Sequence, residues 1–370
     1  MYRVLCIFLI SMMGLMPVSN TFAQSHLKPG FDPEEYYNLL KISVRQADTP
    51  WTKIKSAPPE NCHLVYRAPE TGLVNRWDLW VDDTHQTGII SIRGTNGTAP
   101  SWMENFYAGM IPAKGTLQLD DTTTFHYTMS NDPQAYVHAG WTLGMASMAP
   151  DIVSRIKACY QQGIHEFIIV GHSQGGAIAF LLRSYLQYLD DPALPKDIVY
   201  KTYCSAAPKP GNLFYAYDFD FITRNGWAFR VVNAKDWVPE TPFSIQTTRD
   251  YNAISPFSNV KKALKKQPFM ARTALGYMYG RLDRATKRAS RRMQKTLGKL
   301  AYQRVKKVMP GYQRPDFVES HNYMPAGAPV ILYPDATYDL KFPFDGKNVF
   351  VHHMFEPYAY LLKTIYHLKD

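Results

Sequence analysis

The residues of this chain best suited to chemistry lie in Gly171-His172-Ser173-Gln174-Gly175-Gly176, which follows the apolar run Phe167-Ile168-Ile169-Val170 and leads into Ala177-Ile178-Ala179-Phe180-Leu181-Leu182. A serine between glycines, where a strand hands over to a helix, sits in a sharp, strained turn that presents its hydroxyl as a nucleophile. Side chains two positions to either side would collide with the neighbouring strand and helix, so glycine is what fits. The same turn aims the backbone N–H of Gln174 at the place where an attacked carbonyl oxygen gains negative charge. Ser173 is the candidate nucleophile, and Gln174 one candidate oxyanion donor.

An activated serine needs a base, and the base needs an acid that holds its tautomer. Ala228-Phe229-Arg230-Val231-Val232-Asn233 reads as a buried strand, and Asp236 stands just beyond it in Ala234-Lys235-Asp236-Trp237-Val238-Pro239. Catalytic groups of open α/β sheets gather at such carboxyl ends. Glu240 and Asp250 lie further along a Pro-containing loop and are weaker candidates. For the base, Val349-Phe350-Val351-His352-His353 ends a short apolar run before a last helical stretch, Tyr358 to Leu368. Two adjacent histidines cannot both face Ser173, and the residues alone leave His352 and His353 open. His321, in Glu319-Ser320-His321-Asn322-Tyr323, reads as a surface or loop-fixing histidine. A second oxyanion donor is expected from a loop after an earlier strand. Gly88-Ile89-Ile90-Ser91-Ile92-Arg93-Gly94-Thr95 supplies it, Thr95 offering both N–H and hydroxyl.

The elements that must carry these groups are strands ending near residues 92, 170 and 233 and a helix opening at Gln174. The order Ser, Asp, His along the chain is the one expected of an α/β-hydrolase. The predicted fold is therefore α/β, a mostly parallel central sheet flanked by helices, with a helical insertion between the candidate Asp and His.

Taken together, Ile92-Arg93-Gly94-Thr95, Val137-His138-Ala139-Gly140-Trp141, the elbow itself, Ser205-Ala206-Ala207-Pro208-Lys209-Pro210-Gly211-Asn212 and Arg230 to Pro239 resemble the class 3 lipases, a fungal-lipase-like family. The resemblance spans about residues 85–245 and resumes near 349–360. It implies Thr95 as the oxyanion residue, Ser173 as nucleophile and Asp236 as acid. Members of that family often carry a Glu three and a Tyr five residues after the catalytic histidine. Glu356 and Tyr358 match that pattern when counted from His353, so the resemblance implies His353 as base, with His352 as the alternative. Gln174 stands where leucine is usual, Ile92 where an aromatic is common, and Cys204-Ser205-Ala206-Ala207-Pro208 lacks a customary glycine. These departures mark a distant member.

The interval between Asp236 and His353 has its own composition. From Lys261 to Lys307 there are sixteen Lys and Arg and one acid, Asp283, a local net charge of +15 in a chain whose total is +10, so the remainder is net acidic. Leu282, Ala285, Ala289, Met293, Leu297, Leu300, Ala301, Val305 and Val308 recur at steps mostly of three or four, which predicts a helix over about 281–309 with an apolar stripe and a cationic opposite face. Such a helix suits an anionic membrane surface or covers another apolar surface. The basic insertion is placed at residues 258–313, within one domain over 24–370.

At the start of the chain, Met1-Tyr2-Arg3, the apolar stretch Val4 to Met16 and Thr21-Phe22-Ala23 read as a secretory signal peptide over residues 1–23, which predicts an exported protein, periplasmic or secreted. Cys62, Cys159 and Cys204 remain after it, an odd number without CxxC spacing, which argues against a zinc site. One disulfide with a spare thiol and three buried thiols are both compatible with that count. Serine hydrolysis calls for no cofactor and no metal. An exported serine esterase or lipase is the expected function, acting on an ester or lipid. A non-catalytic lipid- or ligand-binding protein retaining the fold is the alternative. A nucleic-acid module is disfavoured by the leader and by the lack of stacking aromatics between Arg281 and Leu300.

Overall fold

The structure is a computed structural model and describes residues 26–46, 54–192, 194–258, 260–265 and 267–369; the expected leader lies outside them. Seven strands form the central sheet: β1 (Cys62–Arg67), β2 (Trp77–Asp82), β3 (Thr87–Ile92), β4 (Glu166–His172), β5 (Val199–Ser205), β6 (Ala228–Asn233) and β7 (Ala328–Leu332). Their order across the sheet is their order along the chain. β1, β2 and β3 pair antiparallel, and β3 through β7 pair parallel. Parallel neighbours need a crossover, usually a helix, and both faces of the sheet end up covered.

The side-chain alternation explains the layering. In β3 and β4, Ile90 and Ile169 point into one core, while Ile89 and Ile168 point into the other. The larger core lies under α3 (Ala139–Gln161), α4 (Gln174–Tyr188) and α5 (Leu213–Ile222), which supply Trp141, Phe180 and Phe219. The opposite core holds α1 (Pro33–Ser43) and the C-terminal helix Phe355–Tyr366 through Tyr36, Tyr358 and Leu362. A short helix, α2 (Ala99–Phe106), follows β3 and packs beside α3. These features make an α/β-hydrolase fold with a mostly parallel sheet, as the strand and elbow pattern predicted.

The basic segment runs as a short helix, Val260–Leu264, then Phe269–Met293, a π-helical stretch Gln294–Leu300 and Ala301–Val308. The long helix thus begins twelve residues before the predicted start, because nothing between Pro268 and Arg281 breaks it. The apolar stripe is only partly covered: Leu282 is 67% exposed, whereas Val305 is 0% exposed. A repeat of four residues overshoots the 3.6-residue turn and drifts about 40° at each step on a regular helix. The wider π turn lies where that drift has to be absorbed, and beyond it Ala301, Tyr302 and Val305 enter the main core.

Among the described residues, no helix is long and apolar enough to cross a membrane. Cys62, Cys159 and Cys204 are free thiols, the last two buried.

Candidate active site

The turn at Ser173 forms as its residue types require. Ser173 has φ 61° and ψ −130°, a left-handed conformation that costs a non-glycine residue about 1–3 kcal/mol. Its N–H is tied to the Ser205 carbonyl at the end of β5, 2.9 Å away. The flanking glycines are steric necessities: a Cβ on Gly171 would lie 2.2 Å from the Gly175 carbonyl carbon, and one on Gly175 would lie 2.2 Å from the Ile92 carbonyl oxygen. The second contact locks the elbow against the end of β3, so the strand that carries Gly94 and Thr95 is set beside the serine.

Asp236 emerges from the turn after β6, its side chain fully buried. One carboxylate oxygen accepts from the Val238 N–H at 3.0 Å. The other receives the Tyr358 hydroxyl at 2.8 Å and faces His353 Nδ1 at 2.7 Å. A buried carboxylate is tolerated when its oxygens are satisfied in this way. The contact assigns the proton to His353 Nδ1 and leaves Nε2 free to accept. Ser173, His353, Gln174 and Thr95 line one cavity of about 1390 Å³.

His352 is directed elsewhere. Its Nδ1 lies 2.8 Å from the Tyr338 hydroxyl, which in turn accepts from Asn233 Nδ2 at 2.8 Å. Segment 349–353, which carries both candidate bases, consists of turns and not a strand end; the preceding strand, β7, finishes at Leu332. Asp250 is spent on Thr247 and Ser320. His321 corrects the surface reading: it is 0% exposed, holds the loop at Ile245 through its backbone carbonyl at 2.8 Å, and burial lowers its pKa to about 4.

Three positioning contacts had no evident sequence signal. Trp141 Nε1 donates to Asn105 Oδ1 at 3.0 Å, which fixes that amide so that Asn105 Nδ2 donates to Thr95 Oγ1 at 3.0 Å. The Thr95 hydroxyl then accepts from Asn105 and has its own proton available for a bound oxygen. Gln174, buried, donates from Nε2 to the Ser101 carbonyl at 3.1 Å and accepts from Ser101 Oγ at 3.3 Å. The glutamine that departs from the usual leucine therefore staples the Thr95 loop and α2 to the elbow. His172 Nε2 donates to the His353 carbonyl at 2.7 Å, while its Nδ1 faces Ser205 Oγ at 2.9 Å, which in turn meets the Tyr36 hydroxyl at 2.5 Å. Burial, reinforced by the neighbouring His353, lowers the His172 pKa to about 3, so this ring is a neutral brace. His138 plays a comparable part at the start of α3: it accepts from the Trp141 N–H at 3.2 Å and stacks on that indole with centroids 3.6 Å apart.

A half-buried, strained serine that lines the cavity, an imidazole fixed by a buried carboxylate, and donors on two loops form an arrangement suited to acyl transfer. Residues 89–246 match the model of the lipase (class 3) family. Over 163 residues it is 26% identical to secreted mono- and diacylglycerol lipase 1 of Fusarium solani, a match covering 44% of this chain and 41% of that protein. Over 182 residues it is 28% identical to triacylglycerol lipase OBL1 of Arabidopsis thaliana, covering 43% of this chain and 35% of that one. The matched part thus spans less than half the length of these relatives. Among solved structures, a Penicillium cyclopium MDLA variant aligns at 23% identity and TM-score 0.41 over 57% of this chain and 73% of that one. A fungal lipase–inhibitor complex aligns at 19% identity and TM-score 0.44 over 57% and 74%.

Proposed function

We propose that this chain is an exported serine hydrolase that cleaves carboxylic esters, lipid esters foremost, through an acyl-enzyme. The observation that carries the proposal is the 2.7 Å hydrogen bond between buried Asp236 and His353, which lines the same cavity as Ser173. Ser173 Oγ attacks the ester carbonyl while His353 Nε2 takes its proton; Asp236 stabilises the imidazolium. Thr95 and the Gln174 N–H receive the oxyanion. The proton then passes to the leaving alcohol, and water repeats the sequence to release the acid and restore the serine. No metal or nucleotide enters these steps.

Lipid esters fit the walls. Trp102, Phe106, Trp237, Phe243, Leu297 and Phe350 line the cavity, and its volume of about 1390 Å³ exceeds the roughly 300–1,000 Å³ of ordinary small-ligand sites. The Fusarium relative's description as secreted agrees with the leader read at residues 1–23. The reading treats 24–370 as one domain with the basic segment 258–313 inserted between acid and base.

The test is labelling by a fluorophosphonate together with turnover of p-nitrophenyl esters of graded chain length, emulsified triacylglycerol and phospholipid. Ser173→Ala is expected to abolish labelling and to lower turnover by about 10⁴-fold or more. Wild-type turnover in that variant refutes the triad. An unlabelled wild-type protein that binds lipid without cleaving it establishes the non-catalytic alternative.

A further inference from the structure

The helix Phe269–Met293 has one face committed to the protein and one committed to nothing else in it. On the inner face, Asp283 accepts from Thr248 at 2.6 Å, Tyr279 donates its hydroxyl to the Phe257 carbonyl at 2.6 Å, and Ser290 is buried. Just past the helix end, Gln294 donates to the carbonyls of Phe317 and Val318 at 3.1 and 3.0 Å. These contacts set the helix's rotation about its axis. They leave Arg284, Arg288 and Arg291, spaced four and three residues apart and therefore on one face, pointing to solvent around a common hollow.

Among the described residues no carboxylate forms an ion pair with any of the three. The helix's single acid, Asp283, is taken by Lys287 at 2.9 Å. Three arginines on one helix face without a counter-charge form a cationic strip, and an anion with several acceptor oxygens is the complement that such a strip lacks. Towards its N-terminus the helix exposes large apolar groups: Phe269 is 72% exposed, Met270 83% and Tyr277 62%. Cations next to solvent-facing apolar groups on one helix match a surface of anionic headgroups over acyl chains.

We propose that the outer face of the Phe269–Met293 helix docks on an anionic phospholipid bilayer, the arginine cluster meeting headgroup phosphates and the Phe269–Tyr277 end entering the interface. The charge complementarity is that of the whole segment, which carries +15 from Lys261 to Lys307. Docking here also serves the cavity, because Leu297, six residues and ~9 Å along the helix from Arg291, is one of its walls. The docking proposal does not depend on the hydrolase reading.

The experiment is flotation of the full-length protein with vesicles of phosphatidylcholine alone and of phosphatidylcholine with phosphatidylserine. The protein is expected to float with the anionic vesicles, to be released by high salt, and to bind equally well as Ser173→Ala. Each basic residue near an anionic surface strengthens binding roughly fivefold, so the triple variant Arg284→Gln, Arg288→Gln, Arg291→Gln should bind about 100-fold more weakly. Because all three side chains are exposed and lie outside the cavity, its hydrolysis of a short soluble ester should match wild type. Phe269→Ser with Met270→Ser should weaken binding at high and low salt alike. Equal affinity of wild type for neutral and anionic vesicles overturns the proposal, as does unchanged affinity of the triple variant. Displacement from anionic vesicles by single-stranded DNA at equal phosphate concentration also overturns it, and marks the cluster as a polyanion site.

Discussion

His172 Nε2 donates to the main-chain carbonyl of His353 at 2.7 Å, so the residue before the elbow serine holds the backbone of a residue 181 positions later. The hydrogen bond fixes where the imidazole starts, and the Asp236 contact fixes where it points. The serine turn and the His353 segment are thereby tied to each other.

Replacing that brace should separate positioning from chemistry. His172→Phe keeps a ring but loses the bond to His353 and leaves Ser205 without its imidazole partner; we expect kcat to fall by roughly 10- to 100-fold with KM little changed. Since the ring is neutral, the pH dependence of kcat/KM should keep its shape. A shifted acidic limb in the variant's profile would instead make His172 a titrating member of the site.

The adjacent histidines give the sharpest contrast. His353→Ala should approach Ser173→Ala in severity, about 10⁴-fold, and Asp236→Asn should also be severe because it leaves the imidazole in the wrong tautomer. His352→Ala, which removes a partner of Tyr338, should cost less than about tenfold in turnover and appear mainly as lowered thermal stability. Steady-state kinetics on one soluble ester decides; the reverse ranking refutes the assignment of the base.

The staple from Gln174 to Ser101 predicts a rate effect from a side chain that touches no substrate. Gln174→Leu keeps the backbone donor and the volume but frees the Thr95 loop. A drop in kcat of about tenfold is expected, with Asn105→Ala similar in size because it releases the Thr95 hydroxyl. The two changes act on one loop, so their combination should fall short of the product of the separate effects.

Stability should respond to pH in opposite directions through His172 and Glu104. His172 takes up no proton in the folded state until about pH 3, whereas the unfolded side chain does so below about 6.5. Unfolding therefore binds a proton in that window, and stability is lost as pH falls through it. Glu104, fully buried in α2 with one oxygen bonded to Asn75 at 2.7 Å, has its pKa raised by burial to about 8 from 4.5. The folded state keeps that proton while the unfolded state releases it, so Glu104 stabilises fully below about pH 4.5 and its contribution is lost as pH rises through about 8. Glu104→Gln should leave the melting temperature near pH 5 little changed and raise it by several degrees near pH 9. A scan of melting temperature against pH for both proteins checks the sign.

Local geometry made the strained serine turn legible in the sequence. A turn with φ 61° at Ser173 requires glycine at fixed offsets, and that requirement is written into Gly171 and Gly175 wherever the chain folds. The strand Ala228–Asn233 and the position of Asp236 just beyond it follow from the same short-range logic, since an apolar run and its end are visible in six residues. A mostly parallel sheet could be anticipated from the alternation of strands and helices, but not the order of its strands or the antiparallel edge β1–β2–β3. The choice between His352 and His353 rested in the sequence on family resemblance, because two neighbouring residues share every local property. The folded chain gives the two rings different long-range partners, Tyr338 for His352 and Asp236 for His353. The Tyr358 bond to Asp236, the His172 brace and the Gln174 staple likewise join residues distant in sequence, which no periodicity can announce. The basic helix shows the division most plainly. Its charge and stripe are properties of the chain, but which part of the stripe is buried depended on a π turn and on the surface available beyond it, and those exist only once the core has formed.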